Sequence, residues 1–220
     1  MSRPPAKMTA RSARAAETRQ RLIDTAVTLF AENDYDKVGV GEISKTADVA
    51  HGLLFHYFGT KRGIYLEAMR STAEAMARAF DGIPDATPDK QIRAALTAHL
   101  TYLREHRGLA LRMVLGGRGA DPEAWQVFEN ARTAALVAAA AMLGIDPHND
   151  AIRLVGRTAV AAVDETSARW LEVESRFDVD VVVDMLVHLI AGCLRSVPFL
   201  DSTVDVDHAV AVLLGDSAPA

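Results

Sequence analysis

Between positions 45 and 61 the chain gathers Lys45, His51, His56, Tyr57, Thr60 and Lys61 around one glycine, Gly52. Each of the six carries an N–H or O–H donor, and the two lysines add fixed positive charge. That equipment suits phosphate oxygens and base edges better than it suits bond-making. Gly52 has no Cβ, so its backbone can approach a partner closely, at some cost in helix stability. Ala50 and Leu53 stand beside it, and a leucine among base edges has a thymine methyl as its natural partner.

Other arrangements that could do chemistry are incomplete. His99 and His106 lie seven apart on one helical stretch, two turns away from each other, and His51 and His56 fall on different sides of a short helix. Neither pair has metal-ligand spacing, so no metal site is expected. Gly116-Gly117-Arg118-Gly119 follows a helix, not a strand, and lacks the Lys-Ser/Thr of a phosphate loop, so it reads as a plain loop. Asp164 and Glu165 are adjacent, hence about 100° apart on a helix, and cannot flank one substrate. Ser44, Ser167 and Ser175 lack a nucleophile elbow. No catalytic set and no cofactor are expected.

The donor cluster needs rigid support, and the surrounding pattern supplies it. In Gly41 to Tyr65, Ile43 and Ala47 share one face of a short helix, and Leu54 and Phe58 repeat the spacing on a second. Asp48 between them tolerates a turn through local hydrogen bonding. Two short helices about a tight turn, running into a longer third, form a helix-turn-helix whose second helix fits a major groove.

This block resembles the TetR family of bacterial transcriptional regulators. The likeness runs from the apolar helix Leu22–Phe30 through Tyr35, Val40, Glu42, Ile43, Ala47, Val49, Gly52, Leu54, Phe58 and Lys61, about the first third of the chain. The remainder matches in length and helical character. Two positions depart from the family's pattern. Ala50 stands where Ser or Thr usually opens the recognition helix, removing an N-cap hydroxyl, and Phe55 replaces the common Tyr. The resemblance implies a dimer whose late helices form a four-helix interface, together with a divergent ligand domain.

Charge is distributed accordingly. The 220 residues carry a net charge of −5, which argues against a general nucleic-acid coat. Residues 1–66 hold ten Lys/Arg against seven Asp/Glu, a balance of +3, and the rest of the chain carries −8. A basic first third on an acidic remainder suits a directed DNA-binding end. The first sixteen residues hold Arg3, Lys7, Arg11 and Arg14 and no acid, and read as a basic flexible arm that either adds DNA contacts or does nothing. No signal peptide or membrane span is expected, which points to the cytoplasm. Half the residues are apolar, enough for a sizeable core.

Helical periodicity continues to the end. Helices are expected over Thr18–Glu32, Lys61–Phe80, Pro88–His106, Leu109–Leu115, Pro122–Leu143, Pro147–Glu174 and Asp178–Val197, with a small one over Val204–Leu214. No alternating strand pattern occurs, so the fold class is all-α: a basic arm (1–16), a helix-turn-helix domain (17–63) and a helical effector-binding and dimerisation domain (64–220).

Methionines and aromatics beside alanine-rich helices suit an adaptable cavity for a greasy ligand. Met69, Met76, Phe80, Tyr102, Met113, Trp125, Phe128 and Trp170 are the candidates, although singly each also reads as core. Arg112 and Asp164 would orient the ligand, with Asp164 alternatively facing solvent or pairing with Arg157. In the last long helix Val182, Leu186, Leu189 and Cys193 form one apolar stripe and Val183, Val187, Ile190 and Leu194 a second. With Gly156 and Val163 of the helix before it, the first stripe is expected at a dimer interface, the alternative being one central buried helix in a monomer. Cys193 also reads as plain packing.

These readings converge on a ligand-responsive DNA-binding regulator, most often a repressor in the resembled family. Its expected partners are a near-palindromic double-stranded operator, a lipophilic effector and a second copy of itself. Two rivals stand beside it: an architectural DNA-binding protein without an effector, and an enzyme on a helical scaffold.

Overall fold

The computed structural model describes residues 10–78, 86–107, 121–172 and 176–216. All regular structure among them is helical, as the all-α reading expects. The chain divides into two compact units, Met1–Thr72 and Ala73–Ala220, so the division falls nine residues beyond the expected boundary at 63/64.

The first unit begins with α1 (Ala10–Glu32), eight residues earlier than expected. Ala10, Ala13, Ala15 and Ala16 favour helix, with arginines between them, and the Thr18 hydroxyl donates to the Arg14 carbonyl at 2.9 Å. Residues 10–16 are therefore helical, not a flexible arm; residues 1–9 lie outside the described residues. Leu22, Ile23, Ala26 and Phe30 bury one stripe of α1. A short 3-10 turn at Tyr35–Lys37 leads to α2 (Val40–Thr46), α3 (His51–Phe58) and α4 (Lys61–Arg78). Ile43, Leu54 and Ile64 contribute fully buried side chains from these three helices. Phe30, Tyr35 and Tyr65 form a ring triangle, with Tyr65 edge-on to the other two at 5.0 and 4.9 Å. Met69, expected to touch a ligand, is instead 2 % exposed and belongs to this unit.

The second unit takes the last turns of α4 from Ala73, followed by α5 (Pro88–Glu105), α6 (Pro122–Met142), α7 (Asp150–Glu172), α8 (Val179–Leu194) and α9 (Asp207–Leu214). Caps explain the boundaries. Asp121 accepts from the backbone N–H of Glu123 and Ala124 and starts α6 just ahead of Pro122. Gly144 at φ 68° ends it. Asn149 accepts from Ala151 and Ile152 at 2.9 and 3.1 Å, which starts α7 three residues later than Pro147 suggests. The expected helix at Leu109–Leu115, the Gly116–Gly119 loop, and Phe80, Arg112, Met113 and Ser175 lie outside the described residues.

The core of this unit joins α5, α7, α8 and α9 through Leu96, Leu100, Leu171, Leu186, Val187 and Leu213. Val179–Phe199 is long and apolar enough to cross a membrane. Its apolar side chains Val182, Val183, Leu186, Val187, Ala191 and Leu194 are nonetheless buried in this core. Trp170 and Tyr102 pack with that cluster, and the Trp170 indole N–H donates to the Phe177 carbonyl at 3.0 Å. Both side chains thus pack with this core.

Candidate DNA-reading surface and effector cavity

The reading surface is built from α2, the turn and α3. Asp48 takes φ 52°, the one positive φ at a non-glycine residue among those described, so the helix-turn-helix turn falls where an Asp tolerates it. Arg21 donates to the Asp48 carbonyl at 3.3 Å and ties the turn to α1. Glu42 accepts from the Gly39 N–H at 3.4 Å and steadies the start of α2. Ala50 precedes α3 without a side-chain cap, as its methyl requires.

On α3, Leu54 is fully buried, while His51, Gly52, Leu53 and His56 are exposed, as is Lys45 on α2. Phe55 is 42 % exposed and lies edge-to-face with His51 at 5.2 Å between ring centroids. Phe55 stands one turn after His51 and so shares its exposed face of α3. The half-buried Tyr57 packs edge-on against His56 at 5.3 Å.

Two expected phosphate contacts carry structural duties as well. The Thr60 hydroxyl accepts from the Gly63 N–H at 3.0 Å and so caps α4. The Lys61 ammonium lies 4.4 Å above the Tyr35 ring and donates to the Asp36 carbonyl at 3.4 Å. Behind α3, the Arg19 guanidinium stands 5.3 Å from the centre of the Phe58 ring and pairs with Glu67. Arg70 joins from the next turn at 2.6 Å. Burial pushes the Glu67 carboxyl up, but hydrogen bonds from Arg70 and Arg19 and their charges outweigh it and hold its pKa below the ordinary value.

The second unit contains a cavity of about 380 Å³, within the size range of small-molecule sites. Its wall along α6 is alanine: Ala131, Ala134, Ala135, Ala138 and Ala139. Small side chains repeated at helical spacing leave space where larger ones would fill it. Met76 from α4, Ile92, Leu96 and Leu103 from α5, Phe128 and Met142 from α6, and Val160 and Val163 from α7 complete an apolar lining. Met76, Phe128 and Asp164 of the expected ligand set are among the lining residues; Trp125 is not, and instead packs beneath Arg132 at 5.2 Å.

The polar part of the lining is His99, Arg132 and Asp164. Arg132 donates to Asp164 at 2.8 Å and pairs with Glu129 at 3.3 Å, and Glu129 also binds Arg157 at 2.6 Å. Asp164 therefore neither faces solvent alone nor pairs with Arg157, because the α6 guanidinium reaches it first. Burial raises the Asp164 carboxyl above its ordinary value against the pull of Arg132, and Glu129 adds to the rise. His99 is 8 % exposed, and its Nε2 has no hydrogen-bond partner. Burial and the nearby Arg132 charge lower its pKa to about 4, so the ring is neutral at physiological pH. Neither His99 as a ligand-facing group nor Arg132 was anticipated. No group of three or more His, Cys, Asp or Glu side chains suited to a metal occurs among the described residues.

The expected dimer residues are distributed differently. Val182 and Leu186 are 6 % and 0 % exposed within the chain itself. Val163 lines the cavity. A Cβ on Gly156 would lie 3.1 Å from Leu136 Cδ2, so that glycine serves contact between α6 and α7. Cys193 packs on the small cluster of Ala151, Ile152, Val155 and Val197, and Leu189 is half-buried. On α7 and α8 the large apolar side chains left exposed are Leu154, Val181 and Met185, at 58, 54 and 46 % exposure.

A helix-turn-helix carried on one compact helical unit, with a second unit enclosing an apolar cavity, defines the class of ligand-sensing DNA-binding proteins. Residues 22–68 match the family described as "Bacterial regulatory proteins, tetR family", and residues 88–193 match "Tetracyclin repressor-like, C-terminal domain". The chain belongs to the TetR family: it is a DNA-binding transcriptional regulator and not an enzyme. Among similar proteins, the fatty acid metabolism regulator protein of Bacillus subtilis is 23 % identical over 80 % of this chain and 95 % of its own length. The transcriptional activator FasR of Mycolicibacterium smegmatis is also 23 % identical, over 84 % of this chain and 87 % of its own. A TetR-family regulator from Streptomyces coelicolor shares the fold with a TM-score of 0.80, at 22 % identity over 92 % of this chain and 90 % of that one. FadR of Bacillus subtilis, crystallised with stearoyl-CoA, superposes with a TM-score of 0.62 at 24 % identity, covering 78 % of this chain and 96 % of that one.

Proposed function

We propose that this regulator is a homodimer that binds a near-palindromic operator and is released from it when a lipophilic effector enters the second unit. The observation that carries the reading is the cavity: an alanine wall, methionines and aliphatic side chains around a single polar patch. Such a lining favours a long apolar molecule, an acyl chain above all, over a small polar metabolite. The stearoyl-CoA bound to the similar FadR supports the acyl class.

Two recognition helices in successive major grooves stand about 34–36 Å apart, which makes the operator near-palindromic. His51, Gly52, Leu53 and Phe55 read base edges, with apolar contact to thymine methyls from Leu53 and Phe55. Lys45, His56, Tyr57 and Thr60 hold phosphates. The dimer forms through the faces of α7 and α8 that carry Leu154, Val181 and Met185. The protein acts in the cytoplasm, where its DNA is.

Met76 and Ala77 line the cavity from α4, the helix that starts at Lys61. An effector that displaces Met76 favours a dimer with wrongly spaced reading helices, so DNA and effector oppose each other reciprocally. Moving an operator from mostly bound to mostly free takes about 5.5 kcal/mol of differential affinity. At ~25 cal/mol per Å² of apolar surface, a few hundred Å² supplies it.

Selection of bound DNA from a random pool, paired with mass spectrometry of small molecules carried by the purified protein, tests both halves. A palindromic consensus and a co-purifying lipophile support the proposal. Affinity that depends on salt but is flat across sequences would instead favour an architectural protein.

A further inference from the structure

We infer that His99, with the Arg132–Asp164 pair beside it, selects effectors whose apolar body ends in one neutral hydrogen-bonding group, such as an ester or thioester carbonyl or a hydroxyl, and rejects the free carboxylate. The inference rests on the proposed lipophile cavity and adds the identity of the effector's polar end.

Three observations carry it. First, His99 Nε2 is buried without a partner in the wall of a largely apolar cavity. A buried polar atom left unpaired is costly, and a ligand group that satisfies it recovers that cost. Second, Arg132, the one guanidinium lining the cavity among the described residues, is already engaged. Arg132 holds Asp164 at 2.8 Å and Glu129 at 3.3 Å, and Arg157 takes the other oxygen of Glu129. Two cations and two anions balance there, so among the described residues this cluster offers a carboxylate no uncompensated positive charge. Third, an incoming carboxylate would meet Asp164 in a poorly solvated place, where like charges repel strongly. The neutral ring fits the same demand, since burial and Arg132 keep it unprotonated at physiological pH. A neutral carbonyl can accept from the imidazole N–H, and a hydroxyl can either accept or donate.

The test uses the full-length protein and four twelve-carbon probes: dodecane, 1-dodecanol, methyl dodecanoate and dodecanoate, each titrated calorimetrically at pH 7.5. The ester and the alcohol should bind wild type about tenfold more tightly than dodecanoate, the scale of one buried hydrogen bond. His99→Phe should lose about tenfold on ester and alcohol while leaving dodecane unchanged, and His99→Gln, which restores a neutral donor and acceptor, should recover most of the loss. Dodecanoate binding as tightly as the ester, or an ester-to-dodecane ratio unmoved in His99→Phe, would overturn the inference while leaving the lipophile cavity standing. If none of the four binds, the cavity reading fails with it. Should His99→Phe not fold, the wild-type ester-to-acid ratio and His99→Gln still decide the matter.

Discussion

Gly63 lies so close to Phe58 that a Cβ on it would sit 2.0 Å from the Phe58 carbonyl oxygen. The contact is backbone against side-chain position, at the junction where the reading helix ends and α4 begins. No rotamer change can relieve it. Gly59 at φ 72° and the Thr60 cap on the Gly63 N–H complete the same tight corner.

Gly63→Ala should therefore displace the end of α3 and destabilise the first unit by roughly 1–3 kcal/mol, the usual scale of overpacking. Chemical denaturation of wild type and variant measures this, and DNA affinity should fall with it. A variant as stable as wild type would show that the corner can open without cost.

Within the reading surface, Lys45→Ala should weaken binding to specific and random DNA alike and flatten the salt dependence. Leu53→Ala should mainly relax the sequence preference. Lys61→Ala should do more than remove a phosphate contact, because the ammonium also braces Tyr35 and the Asp36 carbonyl. Its melting temperature should fall, whereas that of Lys45→Ala should not. Parallel losses of affinity and stability in all three variants would refute this division.

His99 links stability to pH. Its folded pKa, about 4, lies below the ordinary value of 6.5, so between those values the unfolded chain binds more protons than the folded one. Stability is full above pH 6.5, falls as pH drops through the window, and is lost by about pH 4, by up to roughly 3 kcal/mol. His99→Phe should flatten that part of the stability-versus-pH curve. A curve with the same slope in both proteins would mean that His99 is not held neutral.

Much of the fold was legible because helical periodicity, capping residues and turn chemistry are local. The two stripes of α8, the Asp48 turn and the Gly144 helix end are all written in neighbouring residues. What escaped depends on which face meets which partner. His99, Arg132 and Asp164 come from three helices, and nothing in the sequence announces that they converge. Alanines on α6 read as helix-formers, whereas in the fold they are the space itself. Periodicity finds two stripes on α8 but cannot say that Val182 and Leu186 are used internally while Val181 and Met185 are left outside.

That last distinction makes a sharp test of the dimer. Met185→Glu should yield a folded monomer in sedimentation at micromolar concentration, because its side chain is 46 % exposed in the single chain. Leu186→Glu should instead unfold the second unit by burying a charge in its core. A wild type that sediments as a monomer, or a Met185→Glu protein that remains dimeric, would remove these faces from the account.

The central claim is that occupancy of the alanine-walled cavity controls DNA binding. Ala135→Phe fills that space from α6. Fluorescence anisotropy on the operator recovered by selection, titrated with methyl dodecanoate, compares it with wild type. Wild type should release the DNA as the ester is added, and Ala135→Phe should hold one DNA affinity at every ester concentration. Release from Ala135→Phe at the same ester concentrations as wild type would contradict the claim.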